Sequence, residues 1–193
     1  MKHKITAVLI ILIFFTMNSF TQTQDSLPYR EMPDYPENYT AGSMASRMID
    51  GLGFRFYWAT KGLREEDLAF RPNEASRSTD ETIDHILSMT NGIVNTFQKD
   101  IETKGTDLSF EEKRTLVLNN LKSISDILLK SSSEDLSSYT IKLGNGEILP
   151  FWNFVNGQIA DCIWHCGQIS SFRRMSGNPF SSKVNLFRGT IED

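Results

Sequence analysis

Ser78-Thr-Asp-Glu81-Thr-Ile-Asp-His85-Ile-Leu87 opens the segment whose reading decides the fold. Ser78 followed three residues later by Glu81 is a capping-box pattern. The serine oxygen satisfies a backbone N–H of the first helical turn, and the glutamate reaches back to the N–H of the cap itself. Beyond this start, Ile83, Ile86, Leu87, Ile93, Val94 and Phe97 recur at helical spacing. A long helix with one apolar face is therefore expected here.

The same signals continue on both sides. Upstream, Thr40 is the expected N-cap of a helix over 41–61, with Met44, Met48, Leu52, Phe56 and Ala59 along it. Gly51 and Gly53 weaken its middle and read either as a close helix crossing or as a kink. Gly62 is a natural stop. Residues 63–73 read as a connection with a short turn, and Pro72 keeps Arg71 extended. Downstream, Ser109-Phe-Glu-Glu112 is a second capping box, followed by Val117, Leu121, Ile124 and Leu128. Residues 131–138 read as a Ser-rich turn. Asn145-Gly146, between short apolar runs, predicts a hairpin. Two strands alone are marginal, so the hairpin should rest on helices as a flap. A last helix is expected from about Pro150 to Met175, closed by Gly177 and Pro179, with an irregular tail packed on the surface. Four long helices and one small hairpin before the last of them predict an all-α four-helix bundle over residues 40–193.

The N-terminus reads differently. Lys2, His3 and Lys4 precede an almost unbroken apolar run from Ile5 to Met17, and polar residues 18–25 follow. This is the layout of a secretory signal peptide over residues 1–24, so the chain is expected to be exported, periplasmic or secreted. The run is shorter than the roughly 20 residues needed to span a bilayer. An uncleaved anchor is the alternative. Residues 25–39, with Pro28, Pro33, Pro36, Tyr29, Tyr35 and Tyr39, read as an extended lead-in on the domain surface. The net charge is −4 and becomes −6 without Lys2 and Lys4. An acidic chain without a Lys/Arg cluster argues against a nucleic-acid groove, and no later stretch is a candidate membrane span.

Chemistry concentrates on the last helix, in Gln158-Ile-Ala-Asp161-Cys-Ile-Trp-His165-Cys-Gly-Gln168. Asp161 and His165 lie four apart and share a face, with Gln158 and Gln168 near the same stripe and apolar Phe154 and Phe172 beyond. His85 lies at the border of the apolar face of its own helix. If the two helices face each other, two imidazoles and a carboxylate supply three ligands and leave open positions for water or substrate. An Asp–His pair at this spacing is also a common ion pair or hydrogen bond. Cys162 and Cys166 are four apart, where Cβ atoms are about 5–6 Å apart, against the 3.5–4.5 Å or so of a disulfide. They read as free core thiols rather than a bridge or ligands. Trp58, Trp152 and Trp164 read as core aromatics. Arg55, Arg173 and Arg174 could meet an anion, with surface solvation the simpler role.

The order of these features resembles the DinB/YfiT-like metalloenzyme superfamily. Leu63-Arg-Glu-Glu-Asp-Leu-Ala-Phe-Arg-Pro72 resembles its link between first and second helices. Ser78 to Leu87 resembles the capped helix carrying the first metal histidine. Asp161-Cys-Ile-Trp-His165-Cys-Gly-Gln-Ile169, followed by Arg173-Arg-Met-Ser-Gly177, resembles the H-x-x-x-H-x-G-Q-I segment with its closing Arg and Gly. The likeness covers most of residues 41–180. It implies a four-helix bundle with a three-histidine site for zinc or nickel, with iron or manganese also compatible. It also implies thiol-cofactor-dependent transferase, isomerase or hydrolase chemistry on a small-molecule substrate, and frequent homodimers. By position, His85 and His165 match two ligands, and Asp161 stands where the family has a histidine. A carboxylate there gives a 2-His-1-carboxylate set, with Gln158 or Gln168 orienting the ligands from behind. No independent general base is evident. The competing expectation is a catalytically silent bundle binding a small molecule or protein partner, its metal site lost.

Overall fold

The computed structural model describes residues 27–98 and 108–192. The leader expected over 1–24 and the first two residues of the lead-in lie outside the described residues. The fold is all-α in class, with two small hairpins. Helix α1 spans Ala41–Thr60, α2 Glu65–Ala69, α3 Thr79–Phe97, α4 Phe110–Lys130 and α5 Ser133–Ser138. Strands β1 (Ile141–Lys142) and β2 (Ile148–Leu149) follow. A π-helical turn, Phe154–Ile159, then leads into α6 (Ala160–Met175), and β3 (Val184–Asn185) and β4 (Thr190–Ile191) close the chain.

Three of the long helices, α1, α3 and α4, start where a side-chain cap dictates. Thr40 Oγ1 accepts from Ser43 N at 3.0 Å, and Ser43 Oγ accepts from Thr40 N at 2.8 Å. Ser78 N donates to Glu81 Oε2 at 2.6 Å, and Glu81 N returns to Ser78 Oγ at 3.2 Å. Ser109 and Glu112 repeat the exchange at α4. A cap of this kind is worth about 1 kcal/mol. The C-terminal stops are equally local: Gly62 and Gly177 take φ of 72° and 81°, the left-handed region open to glycine.

The core joins Ile49, Leu52 and Phe56 of α1 to Ile83, Ile86 and Ile93 of α3. Val117, Leu121 and Ile124 of α4, Phe154 and Ile169 complete it. Helix α1 packs on α4 and α6, and α3 packs on the same two. Of the expected face of α1, Leu52, Phe56 and Ala59 are buried against its neighbours, whereas Met44 and Met48 are 55% and 39% exposed. Gly42 sets this docking, because a Cβ there would overlap the carbonyls of Leu128 and Ser131.

Several sequence expectations need correction. The Ser-rich stretch contains a helix, α5, because Ser132 caps it and Asp135 reaches back to Ser132 N at 2.8 Å. The last helix is not continuous α-helix from Pro150. Its first part is π-helical, and Gly157 leaves helical geometry at φ −98° and ψ −105°. The tail is a second hairpin, with Val184 paired to Ile191. The lead-in is not simply superficial. Tyr29 is buried, with φ of 72°, and its ring lies where a side chain at Gly53 would go. Gly53 therefore makes room for the N-terminal segment, and α1 runs on without interruption. The Asn145-Gly146 hairpin forms as β1–β2, with Gly146 at φ 87°. Among the described residues, no helix is long and apolar enough to cross a membrane.

Candidate metal centre

Helix α3 carries His85, and α6, packed against it, carries Asp161 and His165 one turn apart. Asp161 Oδ2 lies 3.5 Å from His85 Nε2 and 3.4 Å from His165 Nε2. The imidazole centroids are 4.8 Å apart with the rings edge-on at 84°. One potential ligand atom from each residue falls within 4.8 Å of the others. Four ligands at metal–ligand distances of about 2.0–2.2 Å around a tetrahedral ion are separated by about 3.3–3.6 Å. Both carboxylate–imidazole spacings match that edge, whereas the spacing between the two imidazole nitrogens is wider, up to 4.8 Å. Neither carboxylate–imidazole approach is among the hydrogen bonds of the structure; each is a contact at ion-pair distance between the carboxylate and an imidazole.

His165 is the fixed member. It is 8% exposed, and its Nδ1 lies 2.6 Å from Gln168 Oε1. An amide oxygen can only accept, so Nδ1 donates in this pair, and in the neutral imidazole it is the Nε2 lone pair that lies toward Asp161. Gln168 lies on the next turn of α6 and is the partner that orients this ring. His85 and Asp161 are more open, with side chains 32% and 45% exposed. His165 and Gln168 also line a cleft of about 400 Å³ with Ser76, Arg77, Thr82 and Phe172.

Gln158 sits in the π-helical turn preceding α6. Its Oε1 is buried and takes no hydrogen bond among the described residues, and its amide nitrogen lies against Gly92 of α3. No hydrogen bond joins it to the two histidines or Asp161. π-Helical turns often occur at functional sites because the wider turn re-aims the side chains around it.

The remaining candidates take structural roles. Cys162 and Cys166 are free and buried. Burial, with a smaller contribution from the charge of Asp161, pushes the Cys162 thiol up to about 12. Burial pushes the Cys166 thiol up as well. Both stay protonated near neutral pH, which disfavours a thiolate ligand. Arg173 is buried, and its guanidinium donates to the carbonyls of Trp58, Ala59 and Lys61 at 3.0–3.1 Å. It caps the end of α1 and is not a solvated surface group. Arg55 donates to Gly51 O at 2.8 Å, and Arg174 lies over the Phe180 ring. Trp58 is in the core, but Trp152 and Trp164 are 75% and 73% exposed, against the expectation of core aromatics. Sequence reasoning missed Ser76, Arg77 and Thr82 as cleft residues: the first two fall in a connection with no periodic signal, and Thr82 is a polar residue in the first turns of α3, outside its apolar stripe.

Comparisons with family models, with curated proteins and with solved structures find no match to this chain.

Proposed function

We propose that the chain is an exported metal-dependent enzyme of the DinB/YfiT-like kind, acting as a hydrolase or transferase on a small molecule. In this reading the helices form the family's four-helix bundle. The supporting observation is the ring of neighbours in which α1 and α3 each touch both α4 and α6. His85, Asp161 and His165 hold a divalent cation, zinc or nickel first, with iron or manganese also compatible with the donors. The observation that carries the reading is the pair of 3.4 and 3.5 Å spacings from one carboxylate oxygen to two imidazole nitrogens.

A bound divalent ion would lower the pKa of a coordinated water or thiol enough to supply a nucleophile near neutral pH. The protein supplies the rest. Gln168 holds His165 in the tautomer that presents Nε2. Asp161 adds a carboxylate to the two imidazoles, a donor set that suits a cation rather than a neutral occupant. The cleft beside His165 admits substrate, with Phe172 as its apolar wall. Phe172 is itself held against Phe70, the ring centroids 5.9 Å apart.

Metal analysis of the purified protein beside a His165→Ala variant tests the reading. Stoichiometric zinc, nickel, iron or manganese, lost in the variant, is the expected result. A folded wild type that is metal-free and refuses added metal would overturn it and leave the silent bundle.

A further inference from the structure

We propose that a second cavity, formed by the N-terminal segment, α1 and α4, binds a small organic ammonium ion through Asp50. The cavity measures about 500 Å³ and shares no lining residue with the His85–Asp161–His165 cluster. It therefore stands or falls separately from the proposed metal chemistry.

Asp50 is only 4% exposed. A carboxylate withdrawn from water to that degree needs compensating donors. Ser125 Oγ donates to Oδ1 at 2.6 Å, and the Tyr29 hydroxyl donates to the same oxygen at 3.2 Å. Ser46 extends the chain, its hydroxyl 2.9 Å from that of Ser125. Both donors serve one oxygen. Oδ2 takes no hydrogen bond from a described residue, nor is it among the fully enclosed side-chain atoms that lack a partner. It is the carboxylate oxygen without a described donor, and Asp50 lines the cavity.

The charge balance points the same way. Asp34, Glu37 and Asp126 also line the cavity, against Lys122 as its one cationic lining residue. The Lys122 ammonium is already held by both oxygens of Asp126, at 2.6 and 2.7 Å. Arg47 is nearby but engaged, donating to Pro33 O at 2.7 Å and lying over the Tyr35 ring. Burial raises the carboxyl of Asp50 above its ordinary range despite Ser125, Tyr29, Arg47 and Lys122, so the native protein under-compensates its charge. An ammonium ion at Oδ2 supplies the missing partner in a charge-assisted hydrogen bond. The apolar lining from Pro33, Pro36 and Leu129 suits the carbon portion of an organic cation. A bare calcium or magnesium ion would instead require about six oxygen ligands. Tyr29, whose hydroxyl meets Asp50, is also the one non-glycine residue with positive φ among those described.

The test is a calorimetric titration of the purified protein with n-butylammonium chloride, beside 1-butanol and butyrate. Asp50→Asn keeps an Oδ1 acceptor for Ser125 and Tyr29 and places an NH₂ at the Oδ2 position. The expected result is saturable butylammonium binding, absent for the alcohol and the carboxylate, and weakened about tenfold or more in Asp50→Asn. A rim variant, Glu37→Gln, should weaken it by about two- to fivefold. The rim variant and the alcohol control carry the test if Asp50→Asn is poorly folded. No saturable binding, equal binding of butanol, or unchanged affinity in a folded Asp50→Asn would each overturn the proposal.

Discussion

Asp67 of α2 and Asp161 of α6 are both acidic residues near the same helix, and they are treated in opposite ways. The Asp67 side chain has no exposure. Arg64 gives it a backbone N–H at 2.8 Å and two guanidinium N–H groups at 2.9 Å each. Asn178 adds a donor at 2.6 Å and Ser176 a hydroxyl. With Arg173 on the α1 carbonyls, this knot ties α1, α2 and the end of α6 together. Asp161 is 45% exposed and reaches its two neighbours only at 3.4 and 3.5 Å. A carboxylate saturated with short donors is a staple. One that is half exposed and reaches two imidazole nitrogens only at ion-pair distance keeps lone pairs that could be given to a cation. The distinction lies in how completely each group is satisfied.

Breaking the staple should have the largest effect. Asp67→Ala leaves Arg64, Ser176 and Asn178 short of an acceptor, and should cost about 3 kcal/mol in denaturant unfolding. A loss below about 1 kcal/mol would show that the knot is replaceable by water. Disturbing the site should leave the fold intact and act on metal instead. Gln168→Leu removes the acceptor at His165 Nδ1 and should weaken metal binding about 10- to 100-fold, read by competition with a chelator. Unchanged affinity would mean that packing alone orients His165.

The smallest effect is in the acid limb of stability. Arg64 above all, followed by Ser176, the Arg64 backbone N–H and Asn178, holds the Asp67 carboxyl well below the usual carboxylate range. Its contribution is complete above an unfolded pKa of about 3.9 and is lost as pH falls toward the folded value. Wild type should therefore lose stability below about pH 4 more steeply than Asp67→Asn. Asp50, raised by burial, has the opposite sign: what it contributes is present when it is protonated and lost as pH rises through its folded value. Equal acid slopes in wild type and Asp67→Asn would remove Asp67 from the account.

Much of this was legible in sequence because its causes are local. A cap needs only a Ser or Thr three residues before its partner, so Thr40, Ser78 and Ser109 announced three helices. Glycine at a left-handed position announced two ends. The face shared by Asp161 and His165 follows from helical spacing alone. The knot at Asp67 was hidden because an arginine, not a serine or threonine, occupies its N-cap, and because Ser176 and Asn178 arrive from more than a hundred residues away. The π-helical turn was hidden because nothing in its composition separates it from the α-helix it joins.

The sequence by itself determined the four long helices, the capped starts of three of them, two glycine stops, and the residue types able to bind a cation. Only the tertiary structure decided that α3 lies against α6, which brings His85 to the other two donors. It alone decided that α1 turns Met44 and Met48 outward, and that Tyr29 enters the core to meet Asp50. Helical spacing fixes neighbours one turn apart on one element, whereas the rotation and pairing of separate helices depend on how whole faces pack, as Gly42 does against Leu128 and Ser131.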